Sequence, residues 1–458
     1  MGTGNARWRI GGALAALVLA ISGCGGSTGP SASSGGAASP AATGASTPPS
    51  SPGGSGGDVG YSGPPANLEY SIWGDPAEIK NQQAIVTGFT DKNPSIKVNV
   101  TVSDWEPYWD KLQTALAGGA APDVFAMDGP LGPDYQTRDA LLDLSPYIQK
   151  DGYDLGQLDA NAVKDFTTAD GAQFGLPRDL NVIALYYNKK MFDDAGIAYP
   201  DDTWDWNKLV EVGKKLTKDT NGDGTPDQWG VYTETTDMEN AWSSFVWQAG
   251  GDILAPDGTK TALDTDQSAQ GIQFLQDLIW KDKVSPDPAL FAETGDAFEQ
   301  GVAAMEINGS WLVATHEAAG VDFGIAPLPK GPAAQATSVN PTGAVVYKNT
   351  KSPDAAWALV KYLASPEAQE KIMALKASVP VNKQILSTTY ATAFDGAQVF
   401  ADALGYAHLK PSFKGYNDFA TTLQTELDEN VFNAPNKTAK DALAAVNDQL
   451  NQILAENQ

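Results

Sequence analysis

The feature that most constrains this chain is a hydrophobic period that changes repeatedly between residues 68 and 127. Leu68 to Trp73 is a short apolar run, after which Ile79, Ile85, Val86 and Phe89 recur at roughly helical spacing. Ile96, Val98, Val100 and Val102 then alternate with Lys97, Asn99, Thr101 and Ser103, the period of two of a strand with one buried face. Tyr108, Leu112, Ala115 and Leu116 return to helical spacing, Gly118 and Gly119 can end that helix, and Asp123 to Met127 supplies a third strand. This is βαβαβ order. It predicts an α/β fold with a parallel sheet, right-handed crossovers and helices on both faces.

In open parallel sheets, ligands bind outside the carboxyl ends of the strands. Here those positions are chemically alike: the first strand runs into Trp73, Gly74 and Asp75, the second into Asp104 and Trp105, and the third into Asp128. Three carboxylates and two indoles on one edge predict a binding edge. The alternative is that Asp75, Asp104 and Asp128 cap helices or form turns.

Charge and composition narrow the function. The 458 residues carry 56 acidic and 30 basic side chains, a net charge of −26, which repels nucleic acid and anionic lipid. Two histidines, His316 and His408, and one cysteine, Cys24, exclude an internal disulfide, a paired-cysteine metal site and a multi-histidine metal site. His316 reads as a helix-surface residue. Arg7 and Arg9 precede an apolar run, Ile10 to Ile21, with the length of a signal-peptide core rather than of a membrane span. Residues 1–23 are therefore expected to be a signal peptide. Ile21-Ser22-Gly23-Cys24 resembles a bacterial lipobox, which implies lipidation of Cys24 and an extracytoplasmic, membrane-tethered chain. Residues 24–66 are dominated by Gly, Ser, Ala, Thr and Pro and read as a flexible stalk.

Three later stretches carry a family resemblance: Leu176-Pro177-Arg178-Asp179 followed by Leu185-Tyr186-Tyr187-Asn188-Lys189, then Ala303 to Trp311, and Pro353 to Gln369. With them, residues 67–458 resemble the extracellular solute-binding proteins of bacterial ABC importers, of the maltose-binding-like type. The resemblance implies a two-lobe periplasmic-binding-protein-like fold. Its first lobe would take 67–177 plus 344–376 and its second 182–338 plus 382–458, with hinges near 177–181, 339–343 and 377–381 and a ligand cleft between the lobes. It implies a carbohydrate ligand, a permease partner and no catalytic residue, and a monomer is expected.

Carried over position by position, the resemblance places Asp75 and Asp128 where a sugar hydroxyl is bonded and Asn181 just past the first crossover. Trp311 follows the Asn308-Gly309-Ser310 turn as a stacking aromatic. Trp242 and Trp247 fall in the second lobe's aromatic segment, and Tyr416 matches the last binding segment. Where the maltose type has an acidic residue near the crossover, this chain has Asn181 beside Arg178 and Asp179, so ligand identity stays open. Trp73, Asp104, Trp105 and Gly343 complete the expected ligand-binding set. A pyranose fits such residues, because its C–H faces stack on indoles while its hydroxyls need oriented donors and acceptors. Trp109, Trp280 and Trp357 sit within helical apolar patterns and read as packing. A secreted glycosidase, which needs two carboxylates about 5 to 10 Å apart, and a polyamine receptor are the competing readings. No cofactor is expected. Asp219, Asn221, Asp223 and Asp227 follow the first half of an EF-hand-like calcium loop, but Gly230 stands where the bidentate Glu belongs. A structural turn is the favoured reading there, with a structural calcium ion as the alternative.

Overall fold

The computed structural model describes residues 60–74, 76–233, 242–291 and 295–457. The leader, Cys24, most of the stalk and Asp75 lie outside the described residues. Ten strands occur among those described: β1 (Ala66–Trp73), β2 (Ile96–Ser103), β3 (Val124–Asp128), β4 (Gly175–Asn188), β5 (Tyr232–Thr233), β6 (Met305–Gly309), β7 (Phe323–Ala326), β8 (Thr337–Val346), β9 (Val379–Pro380) and β10 (Ala407–Leu409). β1 pairs in parallel with both β2 and β3, and the helices Pro76–Lys92 and Trp105–Ala117 make the crossovers. The expected βαβαβ unit is therefore present, in spatial order β2-β1-β3. The chain leaves β1 to one side and returns on the other, so a switch point falls at the carboxyl ends of β1 and β3.

Two long strands carry the chain from one half of the molecule to the other. β4 is buried at every position except Asn181. Its residues up to Val182 pair with β8, whereas Ile183 to Tyr187 pair with β6 and the last four residues with β7. β8 divides the same way, with Thr342 to Val346 against β3 and Thr337 to Val339 against β10. β9 adds a third passage beside Asp179 and Leu180. A strand buried on both faces has to be apolar at successive positions, which the run Val182 to Tyr187 satisfies.

Strand alternation sorts the side chains into two cores, one on each face. Ile183, Leu185 and Tyr187 join Phe125, Met127 and Val345 in one, whereas Val182, Ala184 and Tyr186 join Val124, Ala126 and Val346 in the other. Each fully buried Leu, Ile, Val or Phe contributes about 1.5–3 kcal/mol, so a one-residue slip of β4 would reverse both sets. Trp357 and Trp280 pack as expected: the Trp357 indole donates to Asp151 at 2.9 Å, and that of Trp280 to the Phe432 carbonyl at 3.0 Å. His316 does not sit on a helix surface. It is fully buried, enclosed by the rings of Tyr186, Phe298 and Phe323, because the buried Glu306 and the partly buried Glu299 supply the charge its ring needs there. Among the described residues no helix is long and apolar enough to cross a membrane.

Candidate functional site

The edge formed by the ends of β1 and β2 is aromatic. Trp73 closes β1 and meets Trp105 edge-on at 4.9 Å, with Trp109 at 5.4 Å and Tyr108 at 5.2 Å; Tyr135 lies 5.9 Å from Trp109. The helix Trp105–Ala117 sets this spacing, since positions 105, 108 and 109 share one side of it. Trp109 thus belongs to the edge as well as to the packing expected of it. Trp105 is 38% exposed, one of three large hydrophobic side chains left open among the described residues. Asp104 is exposed and precedes this helix, yet its side chain makes no capping bond.

The end of β3 is polar and closed. Asp128 is buried; its Oδ1 accepts from the Asn340 side-chain amide, and its Oδ2 lies 3.6 Å from the Lys410 ammonium. Asn340 stands on β8 and Lys410 follows β10, so three distant segments converge on this carboxylate. Asp165 joins them, its Oδ2 buried beside the Gly129 backbone. Burial, and then the nearby Asp128 charge, raise the Asp165 carboxyl to about 7. Asp128 makes no capping bond to the 3-10 turn that follows it, so neither it nor Asp104 acts as the cap the alternative required.

Arg178 and Asp179 form a second buried pair at 2.6 Å. The remaining guanidinium donors reach the Tyr70 hydroxyl, Gln82 and Thr342, and the Thr342 hydroxyl also donates to Asp179. Burial alone would lower the Arg178 pKa; the Asp179 charge outweighs it and raises the group above its ordinary value. This pair knits β1, β4 and β8 together at the crossover. Gly343 pairs with Met127 and Pro177 there, and a Cβ at that position would meet the Phe166 ring. Asn181, half-buried, accepts from the Ser378 hydroxyl at 2.8 Å.

The residues expected from the other half are placed unevenly. Trp311 is half-buried, its indole lying over Gly309, where a Cβ would run into the ring. Asn308 is turned inward, donating to Glu306 at 2.8 Å and accepting from the Gly309 N–H. Trp242 is fully buried with its N–H on Gln424. Trp247 is buried against the His408 ring, with its N–H on Asp252. Tyr416 is buried and packs edge-on to Phe413. Thus Trp73, Trp105 and Asp128 share an edge and Trp311 keeps partial exposure, whereas Trp242, Trp247, Asn308 and Tyr416 lie inside the second half in this conformation. Sequence reasoning passed over Asn340, Lys410 and Asp165, which carried no periodic or motif signal.

In the 219–227 loop the carboxylates serve the loop's own amides. Asp219 accepts from the N–H groups of Gly222, Asp223 and Gly224, and Asp227 from those of Thr220 and Asn221. Among the described residues no group of three His, Cys, Asp or Glu side chains is placed to hold a metal ion.

Paired crossover strands beneath an aromatic and polar edge define a two-lobe α/β binding protein. The chain matches the bacterial extracellular solute-binding protein family over residues 76–370, well over half its length, and it belongs to that family. Its relatives include a maltotriose-binding protein of Pyrococcus abyssi, 26% identical over 74% of this chain and 72% of that protein. The diacetylchitobiose binding protein DasA of Streptomyces coelicolor is 25% identical over 79% of this chain and 84% of its own length. Among solved structures, an ABC substrate-binding protein from Listeria monocytogenes in complex with cycloalternan superposes with a TM-score of 0.78 at 27% identity. It covers 85% of this chain and 99% of its own.

Proposed function

We propose that this protein is an extracytoplasmic receptor that binds a neutral mono- or oligosaccharide and delivers it to the permease subunits of an ABC importer, without chemistry of its own. The observation that carries the reading is an exposed indole edge beside buried charges that are already paired. The Trp73–Trp105 group offers apolar faces for sugar rings. Asp128 with Lys410, and Arg178 with Asp179, neutralise one another, so the polar groups present hydrogen bonds rather than net charge. Asp128 and Asp179, being paired, would offer a polyamine little uncompensated negative charge. The named ligands of the relatives and of the Listeria structure are saccharides, which supports the same class.

The lobe boundaries belong to this proposal. They are supported by the pairing of β4, β8 and β9, which lie side by side across 179–181, 339–343 and 379–380. Tethering through a lipidated Cys24 after removal of residues 1–23, and a monomeric state, belong to it as well, supported by the leader and stalk composition.

A thermal-shift screen of neutral oligosaccharides, polyamines and phosphate esters tests the function. At 100 times its dissociation constant a true ligand stabilises the fold by about 2.7 kcal/mol. The expected result is a shift with neutral saccharides, recovered intact after long incubation. A shift with polyamines alone, or cleavage of the saccharide, contradicts the proposal.

A further inference from the structure

The helix Tyr416–Leu427 lacks a cap of its own. It begins at Gly415, which has no side chain to accept from the helix amides and holds the left-handed conformation, φ +87°. The missing acceptor comes from the other half of the molecule. Asp134, buried in the short helix Gly132–Thr137 just after β3, accepts from the Gly415 N–H at 2.6 Å through Oδ1 and from the Asn417 N–H at 3.3 Å through Oδ2. Negative charge at a helix N-terminus is favourable. Two further contacts join the same pair of segments: the Ser412 hydroxyl to the Gly129 carbonyl at 3.4 Å, and Lys410 to Asp128.

These segments belong to opposite halves. Residues 128–134 continue β3, beside β1 and β2. Residues 410–417 follow β10, which pairs with the far end of β8, and the helix they lead into is tied to its own half by the Trp242–Gln424 bond. Gln276 adds bonds to the Val431 and Lys437 carbonyls. Among the described residues β4, β8 and β9 are the strands that lie at the crossing between the halves. Any rotation that separates the edges must withdraw Asp134 from the helix it caps.

We propose that Asp134 and Lys410 form a latch across the cleft, in which a carboxylate of the first half caps a helix of the second and holds the protein closed. The proposal rests on the two-lobe receptor reading and adds to it the residues that set the balance between open and closed forms. Loss of an N-cap alters a helix equilibrium by about fivefold, within a roughly twofold to thirtyfold range, and the ion pair adds to this. Removing either residue therefore shifts the population toward the open form, and ligand association, which needs the open cleft, becomes faster.

Single-molecule energy transfer between dyes at Lys97→Cys and Lys440→Cys, exposed positions on the two halves, measures the populations in full-length protein carrying Cys24→Ser. The measurement needs no ligand, so its outcome is independent of the carbohydrate assignment, which the thermal-shift screen tests separately. In Asp134→Ala and Lys410→Met the open:closed ratio is expected to rise about fivefold or more. In Asp134→Asn, which keeps one acceptor oxygen but loses the second acceptor and the charge, the ratio is expected to fall between wild type and Asp134→Ala. Unchanged transfer in both Asp134→Ala and Lys410→Met overturns the latch. So does a lower melting temperature without any change in the two populations, since that is what a merely structural contact would give.

Discussion

Arg178→Met is expected to destabilise the protein by about 3–5 kcal/mol, the range for a buried ion pair that loses one partner. The substitution removes the guanidinium but leaves Asp179 buried between β4 and β8, with only the Thr342 hydroxyl donating to it among the bonds described above. It also leaves the Tyr70 hydroxyl and the Gln82 side chain without their common donor. The double substitution Arg178→Met with Asp179→Leu removes the orphaned charge and is expected to recover much of the loss. Denaturant midpoints of the three proteins check this. A single variant within 1 kcal/mol of wild type contradicts the structural role assigned to the pair.

Raising the pH from about 6 to 9 is expected to weaken the fold through the cluster around His316. Its ring nitrogens lie 3.3 Å from Glu299 and 2.9 Å from Glu306. Burial alone would lower the His316 pKa; the two carboxylates outweigh it and raise it to about 9. Asp296 is raised to about 8, first by burial and then by the charge and hydrogen bond of Glu306. Both groups hold protons more tightly when folded than unfolded. The stability they confer is complete below the unfolded values, near 6.5 for His316 and 3.8 for Asp296, and is lost as pH rises through the folded ones. Each proton involved contributes a slope of about 1.4 kcal/mol per pH unit at its steepest. Asp296→Asn imitates the protonated acid without titrating. It is expected to flatten the profile between pH 5 and 8 and to leave the protein more stable than wild type at pH 8, on the order of 2 kcal/mol. Superimposable pH profiles of the two proteins contradict this account.

The cluster also bears on the ligand edge. Glu306 accepts from Asn308, whose own oxygen holds the Gly309 N–H, and the Tyr186 hydroxyl donates to the Gly309 carbonyl. These bonds fix the glycine over which the Trp311 ring lies. The charged core and the aromatic turn are thus one hydrogen-bonded unit.

The elements that could be read in advance are those set by local periodicity. β1 to β3 and their two helices follow directly from the alternation of residues 96–103 and the helical spacings on either side, and the strand ends fall at Trp73 and Asp128. The remainder depends on contacts between distant residues. Asn340 reaches Asp128 across 212 positions of sequence, and Lys410 comes from further away still. Neither stands in a pattern that distinguishes it from a surface polar residue. Tryptophan misleads in the opposite direction: Trp242 and Trp247 have the size and composition of a stacking platform, but their N–H groups find partners inside the second half and their rings fill the core. His316 misleads for the same reason, because the Glu306 and Glu299 carboxylates that make its burial tolerable come from other elements.

Isothermal titration of wild-type protein and Trp73→Ala with a neutral linear oligosaccharide tests the central claim most directly. An aromatic anchor at the centre of a binding edge typically contributes about 2 kcal/mol or more, which corresponds to at least about a thirtyfold change in affinity. The account predicts saturable one-to-one binding by wild type and a loss of that size in the variant. Equal affinities, or no heat with any neutral saccharide while a charged solute binds, contradict it.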